Sequence, residues 1–213
     1  PFCPTKCDYC SFASYPLSEY KQYLSDFLSA LEYEIENIGQ IVRELNLNID
    51  TVYIGGGTPT VLSAEKLKGI IQKLKDSFAI NDLREFMVEA GRPDTINEAK
   101  LRVLKNENVN RISINPQTMQ QETLDKIGRD HTVEDVVEAY SLARKMNFAN
   151  INMDLIVGLP GEGEEELKLT LEEVKELHPD SITVHTLAIK RASKLDQQQD
   201  ELSLLSATKI NEM

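Results

Sequence analysis

Strand-like and helix-like signals alternate along nearly the whole chain, and this restricts the available folds more than any other feature. Leu24, Phe27, Leu28, Leu31, Ile35 and Ile38 recur at helical spacing. After a polar bend around residues 46–50, a short β-rich run occupies Thr51–Ile54. Leu67, Ile70, Ile71 and Leu74 then share one helical face, and Glu85–Glu89 reads as the next strand. Thr95, with Glu98 three residues on, has the pattern of a capping box and is expected to open the following helix. The alternation continues with a strand at 111–115 and a helix whose expected buried stripe is Val133, Val136, Val137 and Tyr140. A largely apolar strand at Ile151–Val157, a helix carrying Leu167, Leu171, Val174 and Leu177, and a strand at Ser181–Thr186 complete it.

Repeated β-α units of this kind imply an α/β fold with a parallel sheet, right-handed crossovers and helices on the outer face. Five strands are visible, and a sixth is expected before Pro1. At 213 residues the chain is too short for a complete eight-unit barrel, so an open or partial barrel is expected, with functional residues at the carboxyl ends of the strands. A hydrophobic content of 41% suffices for one sizeable core, and no apolar run is long enough to cross a membrane. Against 23 Lys and Arg stand 35 Asp and Glu, a net charge of −12, so nucleic acid is not an expected partner. Both ends look cut: a cysteine motif begins at the third residue, and Ile210, Asn211, Glu212 and Met213 stop within a helical pattern. A fragment of a longer protein is the expected reading.

Cys3, Cys7 and Cys10 are the only cysteines, spaced as C-x3-C-x2-C. Three thiolates on one short loop can ligate three irons of a four-iron four-sulfur cluster, leaving the fourth iron open to a small molecule. A structural zinc site usually takes four Cys or His ligands. His131, His178 and His185 lie far away in sequence, although distant residues can fold onto a loop. An odd number of closely packed cysteines is a poor disulfide framework and places the chain in a reducing, cytoplasmic compartment.

Gly55, Gly56, Gly57, Thr58, Pro59 and Thr60 come directly after the first visible strand, where consecutive glycines let a ligand approach the backbone. The run is neither a Walker loop nor a G-x-G-x-x-G fingerprint. Glu89, Asn115, Gln117 and Asp154 recur at or near one end of successive strands, the pattern of a lined cavity, and Arg129 falls in a loop near the same rim. Asp94, Asp130, Glu134 and the acidic run at 162–166 read as caps and solvated helix starts.

Taken together, PFCPTKCDYCSF, GGGTPT, VEAGRPDTI, RISINPQ, IGRDHT, NMDLIVGLPGEG and HTLAIKRAS resemble the radical S-adenosylmethionine superfamily. Within it they are most similar to the oxygen-independent coproporphyrinogen III oxidase-like branch, in the form of its Z-type coproporphyrinogen dehydrogenases. The resemblance implies a partial (β/α)6-type radical SAM barrel, truncated at the first strand and lacking the C-terminal domain. Residues 1–190 would form the core domain and residues 191–213 the start of a linker or C-terminal region. It also implies a four-iron four-sulfur cluster on Cys3, Cys7 and Cys10, with S-adenosylmethionine on the open iron. Gly56, Gly57 and Thr58 match the cofactor-contacting glycine turn, and Glu89, Gln117, Arg129 and Asp154 match further cofactor-binding positions.

The reaction implied by the resemblance begins with one electron, from a donor such as flavodoxin or ferredoxin, cleaving the sulfonium to a 5′-deoxyadenosyl radical. That radical takes hydrogen from a propionate of a tetrapyrrole substrate, which loses carbon dioxide and becomes a vinyl group. The outcome is conversion of coproporphyrinogen III to protoporphyrinogen IX in haem biosynthesis, with the isolated fragment expected to be inactive. Phe12 stands where the best-known members carry a fourth cysteine. Haem-chaperone relatives share the cysteine spacing and lack that extra cysteine, so haem delivery is a second reading and a structural metal module a third.

Overall fold

The computed structural model describes residues 1–80, 82–191, 193–197 and 209. A two-stranded parallel ribbon, β1 (Phe2–Cys3) with β2 (Tyr15–Pro16), ties the two ends of the cysteine loop together and leads into α1 (Leu17–Tyr20) and α2 (Leu24–Glu44). The chain continues through β3 (Thr51–Ile54), α3 (Ala64–Ser77), β4 (Glu85–Glu89), α4 (Glu98–Asn106), β5 (Arg111–Gln117), α5 (Gln121–Lys126), α6 (Val133–Lys145), β6 (Ile151–Val157), α7 (Glu164–Leu177), β7 (Ser181–Thr186) and α8 (Lys194–Gln197). Strands β3 to β7 form one sheet in sequence order, every neighbouring pair parallel. This is the α/β partial barrel expected from the alternation. The expected sixth strand would precede Pro1.

Strand residues alternate between two faces, and here the faces differ in chemistry. Phe86 and Val88 of β4, Ile112 and Ile114 of β5, and Ile151, Met153 and Leu155 of β6 are buried in the main core. They pack with Leu67 and Ile71 of α3, Leu101 and Leu104 of α4, Val136 and Tyr140 of α6, and Val174 of α7. The intervening residues, among them Glu85, Glu89, Arg111, Asn152 and Asp154, line a cavity on the opposite face. Burying a Leu, Ile, Val or Phe side chain is worth about 1.5–3 kcal/mol, so the apolar face holds the helices while the polar face stays free for chemistry.

The helix boundaries show where local rules meet tertiary contacts. Thr132 caps α6 with a complete capping box, its hydroxyl accepting from the Asp135 N–H while the Asp135 carboxylate accepts from the Thr132 N–H. Thr95 does not open α4; Asn97 does, accepting from the Lys100 N–H at 3.0 Å. The Thr95 hydroxyl instead meets Thr60 at 2.6 Å and donates to the Arg92 carbonyl at 2.7 Å, inside a tight turn over residues 93–95. Val137 also leaves the expected stripe: it is 38% exposed, and Ala139 and Ala143 take the buried positions beside Val136 and Tyr140. Asn46, Asn108 and Asn147, with positive φ, close the turns after α2, α4 and α6, a conformation asparagine tolerates. The helical pattern expected at residues 210–213 lies outside the described residues. Among the described residues no helix is long and apolar enough to cross a membrane.

Candidate functional site

The cysteine loop lies at the carboxyl ends of the strands. The Asp8 N–H donates to the Ile127 carbonyl, and the Thr58 N–H donates to the Phe2 carbonyl at 2.8 Å, so the loop is held by the turns after α5 and β3. Tyr9 packs on a small second core of Leu124, Ile127, Ile156 and Leu159. All three cysteines are free thiols, Cys7 buried and its two partners partly exposed. Each sulfur has a polar neighbour: Thr58 Oγ1 donates to Cys3 at 3.4 Å, Arg92 Nη1 donates to Cys7 at 3.7 Å, and Ser14 Oγ lies 3.7 Å from Cys10. Burial pushes the Cys3 thiol up, Cys7 and Cys10 add to that, and Thr58 and Arg92 oppose it.

Among the described residues no three His, Cys, Asp or Glu side chains converge on one point as a single metal ion requires. A four-iron cluster makes a different demand, since each thiolate binds a different iron. Three thiols on one folded loop, each with a polar group beside its sulfur, fit that soft, distributed site.

Below the loop, the polar face of the sheet encloses a cavity of about 680 Å³ whose walls include Tyr9, Tyr53, Glu89, Gln117, Asp154 and His185. Glu89, at the end of β4, accepts from the Tyr53 hydroxyl and from the Gly56 N–H at 3.2 Å, which joins it to the glycine turn after β3. Burial pushes its carboxyl up, the two hydrogen bonds pull it down, and the charge of Asp154 raises it further; the net direction is upward. Gln117 closes β5 after a register shift, adopts φ 70°, and buries Oε1 without a partner. A non-glycine residue at positive φ with an unpaired buried acceptor is strained, and such residues cluster at functional sites.

Asp154 is held by a chain of side chains across three strands. Asn152 Nδ2 donates to Asp154 at 2.6 Å and to Ser113 Oγ at 3.1 Å, while its Oδ1 accepts from Ser181 at 2.7 Å and Thr183 at 3.1 Å. Both ends of the Asn152 amide are thereby used, which orients the amide and aims Asp154.

Arg129 is buried beside the cysteine loop. Its guanidinium donates to the carbonyls of Asn115 and Gly91, and it interacts with Tyr9 and Cys7. His131, two residues on, is fully buried; burial, then Arg129 and Arg92, push its pKa down to about 3, so the ring is neutral. In the glycine turn, Gly57 packs directly on the backbone of Pro1 and Phe2, while Gly56, at φ 114°, faces open space. Thr58 is buried with its hydroxyl on Cys3.

The structure thus gathers Glu89, Gln117 and Asp154 around one cavity, sets Gly56 at its edge through Glu89, and places Gly57, Thr58 and Arg129 against the cysteine loop. Glu162, expected on a solvated helix start, is instead buried and accepts from the Thr118 hydroxyl. Asp94 is an ion-pair partner of Arg92. Arg92, Tyr53, Asn152 and the cavity-lining His185 were not among the candidate residues. Tyr53 and Asn152 carried a usable signal, each sharing strand parity with a candidate, whereas Arg92 sat in a turn with no periodicity to mark it.

Residues 1–174 match the family model described as the Radical SAM superfamily. The chain is 45% identical over 214 residues to the oxygen-independent coproporphyrinogen-III oxidase-like protein HemZ of Bacillus subtilis, covering 100% of this chain and 43% of that protein. To the heme chaperone HemW of Bacillus subtilis it is 38% identical over 194 residues, covering 89% of this chain and 49% of that one. Coproporphyrinogen III oxidase HemN from Escherichia coli, described as a radical SAM enzyme, matches with a TM-score of 0.84 at 28% identity, covering 100% of this chain and 48% of that one. The chain spans less than half the length of each of these three relatives.

Proposed function

This chain belongs to the radical SAM superfamily, and from that premise we propose that it is the cluster- and cofactor-binding part of an oxygen-independent coproporphyrinogen III decarboxylase. Its cofactors are those of the superfamily, a four-iron four-sulfur cluster and S-adenosylmethionine. When bound, they supply one-electron reduction of a sulfonium and, from it, abstraction of a hydrogen atom. The protein's task is to bind, orient and exclude water.

In this reading Cys3, Cys7 and Cys10 hold the cluster. Glu89 and Asp154 accept hydrogen bonds from the hydroxyl and ammonium groups of the cofactor, and Gln117 offers its unpartnered Oε1. Arg129 supplies a positive charge for the methionyl carboxylate. The glycine turn, with Gly56, Gly57 and Thr58, brings backbone close to the cofactor at the edge of the loop. Residues 1–190 form the core domain, and residues 191–213, most of them outside the described residues, begin the connection to the remainder of the protein. Each propionate that reacts would give a hydrogen atom to the cofactor-derived radical and one electron to an external one-electron acceptor, leaving a vinyl group and carbon dioxide, while the remaining propionates are kept in the product. The tetrapyrrole and a one-electron donor such as flavodoxin or ferredoxin are the partners, and the cytoplasm is the compartment.

The observation that carries this reading is the 45% identity to the oxidase-like HemZ across the whole chain. The 38% identity to a heme chaperone and Phe12 in place of a fourth cysteine favour a second reading, haem delivery. Full-length protein, reconstituted with iron and sulfide and given a strong reductant, S-adenosylmethionine and coproporphyrinogen III, is expected to release carbon dioxide and the vinyl product. A stable haem adduct without decarboxylation would select the chaperone reading instead.

A further inference from the structure

Cys7 differs from the other two cysteines: it is the buried one, and buried guanidinium groups stand against it. Arg92 is only 2% exposed. Its Nη1 donates to Thr5 Oγ1 at 3.1 Å and to Cys7 Sγ at 3.7 Å, and its Nε pairs with Asp94 at 3.2 Å. Its Nη2 is buried with no partner. Arg129 interacts with the same sulfur from its own loop. Two buried cations near one thiol are costly unless an anion completes them, and Asp94 is the one carboxylate paired with Arg92 among the described residues. His131 is kept neutral beside them, so it adds no third charge.

We propose that Arg92 is a positioning and potential-setting residue for the iron–sulfur cluster: it fixes the Cys7 sulfur through Nη1 and favours the reduced, more negative cluster through its charge. The inference rests on the reading that Cys3, Cys7 and Cys10 hold the cluster. Hydrogen bonds to ligand sulfurs and local net charge are established determinants of cluster potential. Uptake of one electron from an external donor makes the cluster one unit more negative, so a fixed cation lowers the energy of the product more than that of the reactant. Asp94, drawing on the same guanidinium, acts in the opposite sense.

The test is a dye-mediated redox titration of the anaerobically reconstituted protein, monitored by electron paramagnetic resonance, with iron and sulfide measured on every sample. Arg92→Gln is expected to weaken electron affinity about tenfold or more, a shift of ~59 mV or more to lower potential for a one-electron couple. Arg92→Lys should fall between Gln and wild type, and Asp94→Asn should move the potential upward. A full complement of iron and sulfide with an unchanged or higher potential in Arg92→Gln would overturn the proposal. Should Arg92→Gln fail to hold a cluster, Asp94→Asn decides, since an unchanged or lower potential there overturns it equally. A wild-type protein that takes up no iron and sulfide would overturn the cluster reading itself, a result recognisable before any variant is titrated.

Discussion

Gly57→Ala isolates the packing of the glycine turn on the cysteine loop. A β-carbon at Gly57 would lie 2.4 Å from the Phe2 carbonyl oxygen, 2.7 Å from the Pro1 carbonyl carbon and 2.9 Å from that of Phe2. All three are backbone atoms, so no flexible side chain can swing away, and the loop must move. Overpacking of this kind costs about 1–3 kcal/mol, and displacing Phe2 also endangers the 2.8 Å hydrogen bond from the Thr58 N–H, worth about 0.5–1.5 kcal/mol. The total is about 1.5–4.5 kcal/mol. In a domain of this size 1 kcal/mol moves Tm by about 2–4 °C, so the midpoint should fall by about 3–18 °C. Iron uptake on reconstitution should fall with it, because Cys3 directly adjoins the displaced Phe2. Gly69→Ala is the control: it sits exposed in α3 with nothing within 4 Å of the added carbon, and should be neutral or stabilising by up to ~1 kcal/mol. Thermal denaturation of both variants with iron analysis checks the argument. A Gly57→Ala protein with wild-type Tm and full iron uptake would refute it.

Asn152→Leu removes all four hydrogen bonds of the amide and leaves Asp154 unsupported. Calorimetry should show weaker S-adenosylmethionine binding than wild type, and unchanged affinity would deny Asn152 its aiming role. His131 predicts a pH dependence whose sign follows from its depressed pKa of about 3 against an ordinary 6.5. Its contribution to stability is complete above pH 6.5 and is lost as pH falls toward 3, because the unfolded chain takes up the proton first. Urea denaturation should find about 2 kcal/mol of this loss between pH 6.5 and 5, absent in His131→Gln; an equal slope in the variant would contradict the assignment.

The sheet was legible in the sequence because its core-facing residues obey a period of two. Phe86 and Val88, Ile112 and Ile114, and Ile151 with Met153 and Leu155 mark the face that buries against helices, whatever the rest of the chain does. Failures came where a tertiary partner outbid a local preference. Thr95 with Glu98 three residues on satisfies a capping rule, but Thr60 across the fold takes its hydroxyl and Asn97 is left to cap. Strand β5 runs on to Gln117 through Pro116, two residues past the expected end, because a register shift against β6 lets the proline pass without a ladder bond. Glu162 looked solvated because its neighbours are acidic, and it is buried because Thr118 reaches it.

The candidate site divides along the same line. Cys3, Cys7 and Cys10 were readable because their spacing alone puts three thiols on one loop, and Glu89 and Asp154 because each sits on the polar parity of its strand. Their electrostatic relation was not readable, since it depends on β4 and β6 curving around one cavity. Asp154 raises the Glu89 carboxyl, on top of burial, so the cavity brings together two carboxylates that disfavour one another. Arg111 on the same wall is paired with Glu85 at 3.0 Å, so among the described residues Glu89 and Asp154 are left without a cation, and a ligand carrying a sulfonium and an ammonium group would supply one. Arg129 and Arg92 supply the converse, positive charge against the cysteine loop, where an anionic cluster and a carboxylate would be drawn. The two halves of the site therefore carry opposite charge, negative in the sheet cavity and positive at the loop. Under the proposed function, that polarity would orient a zwitterionic ligand before any single hydrogen bond does.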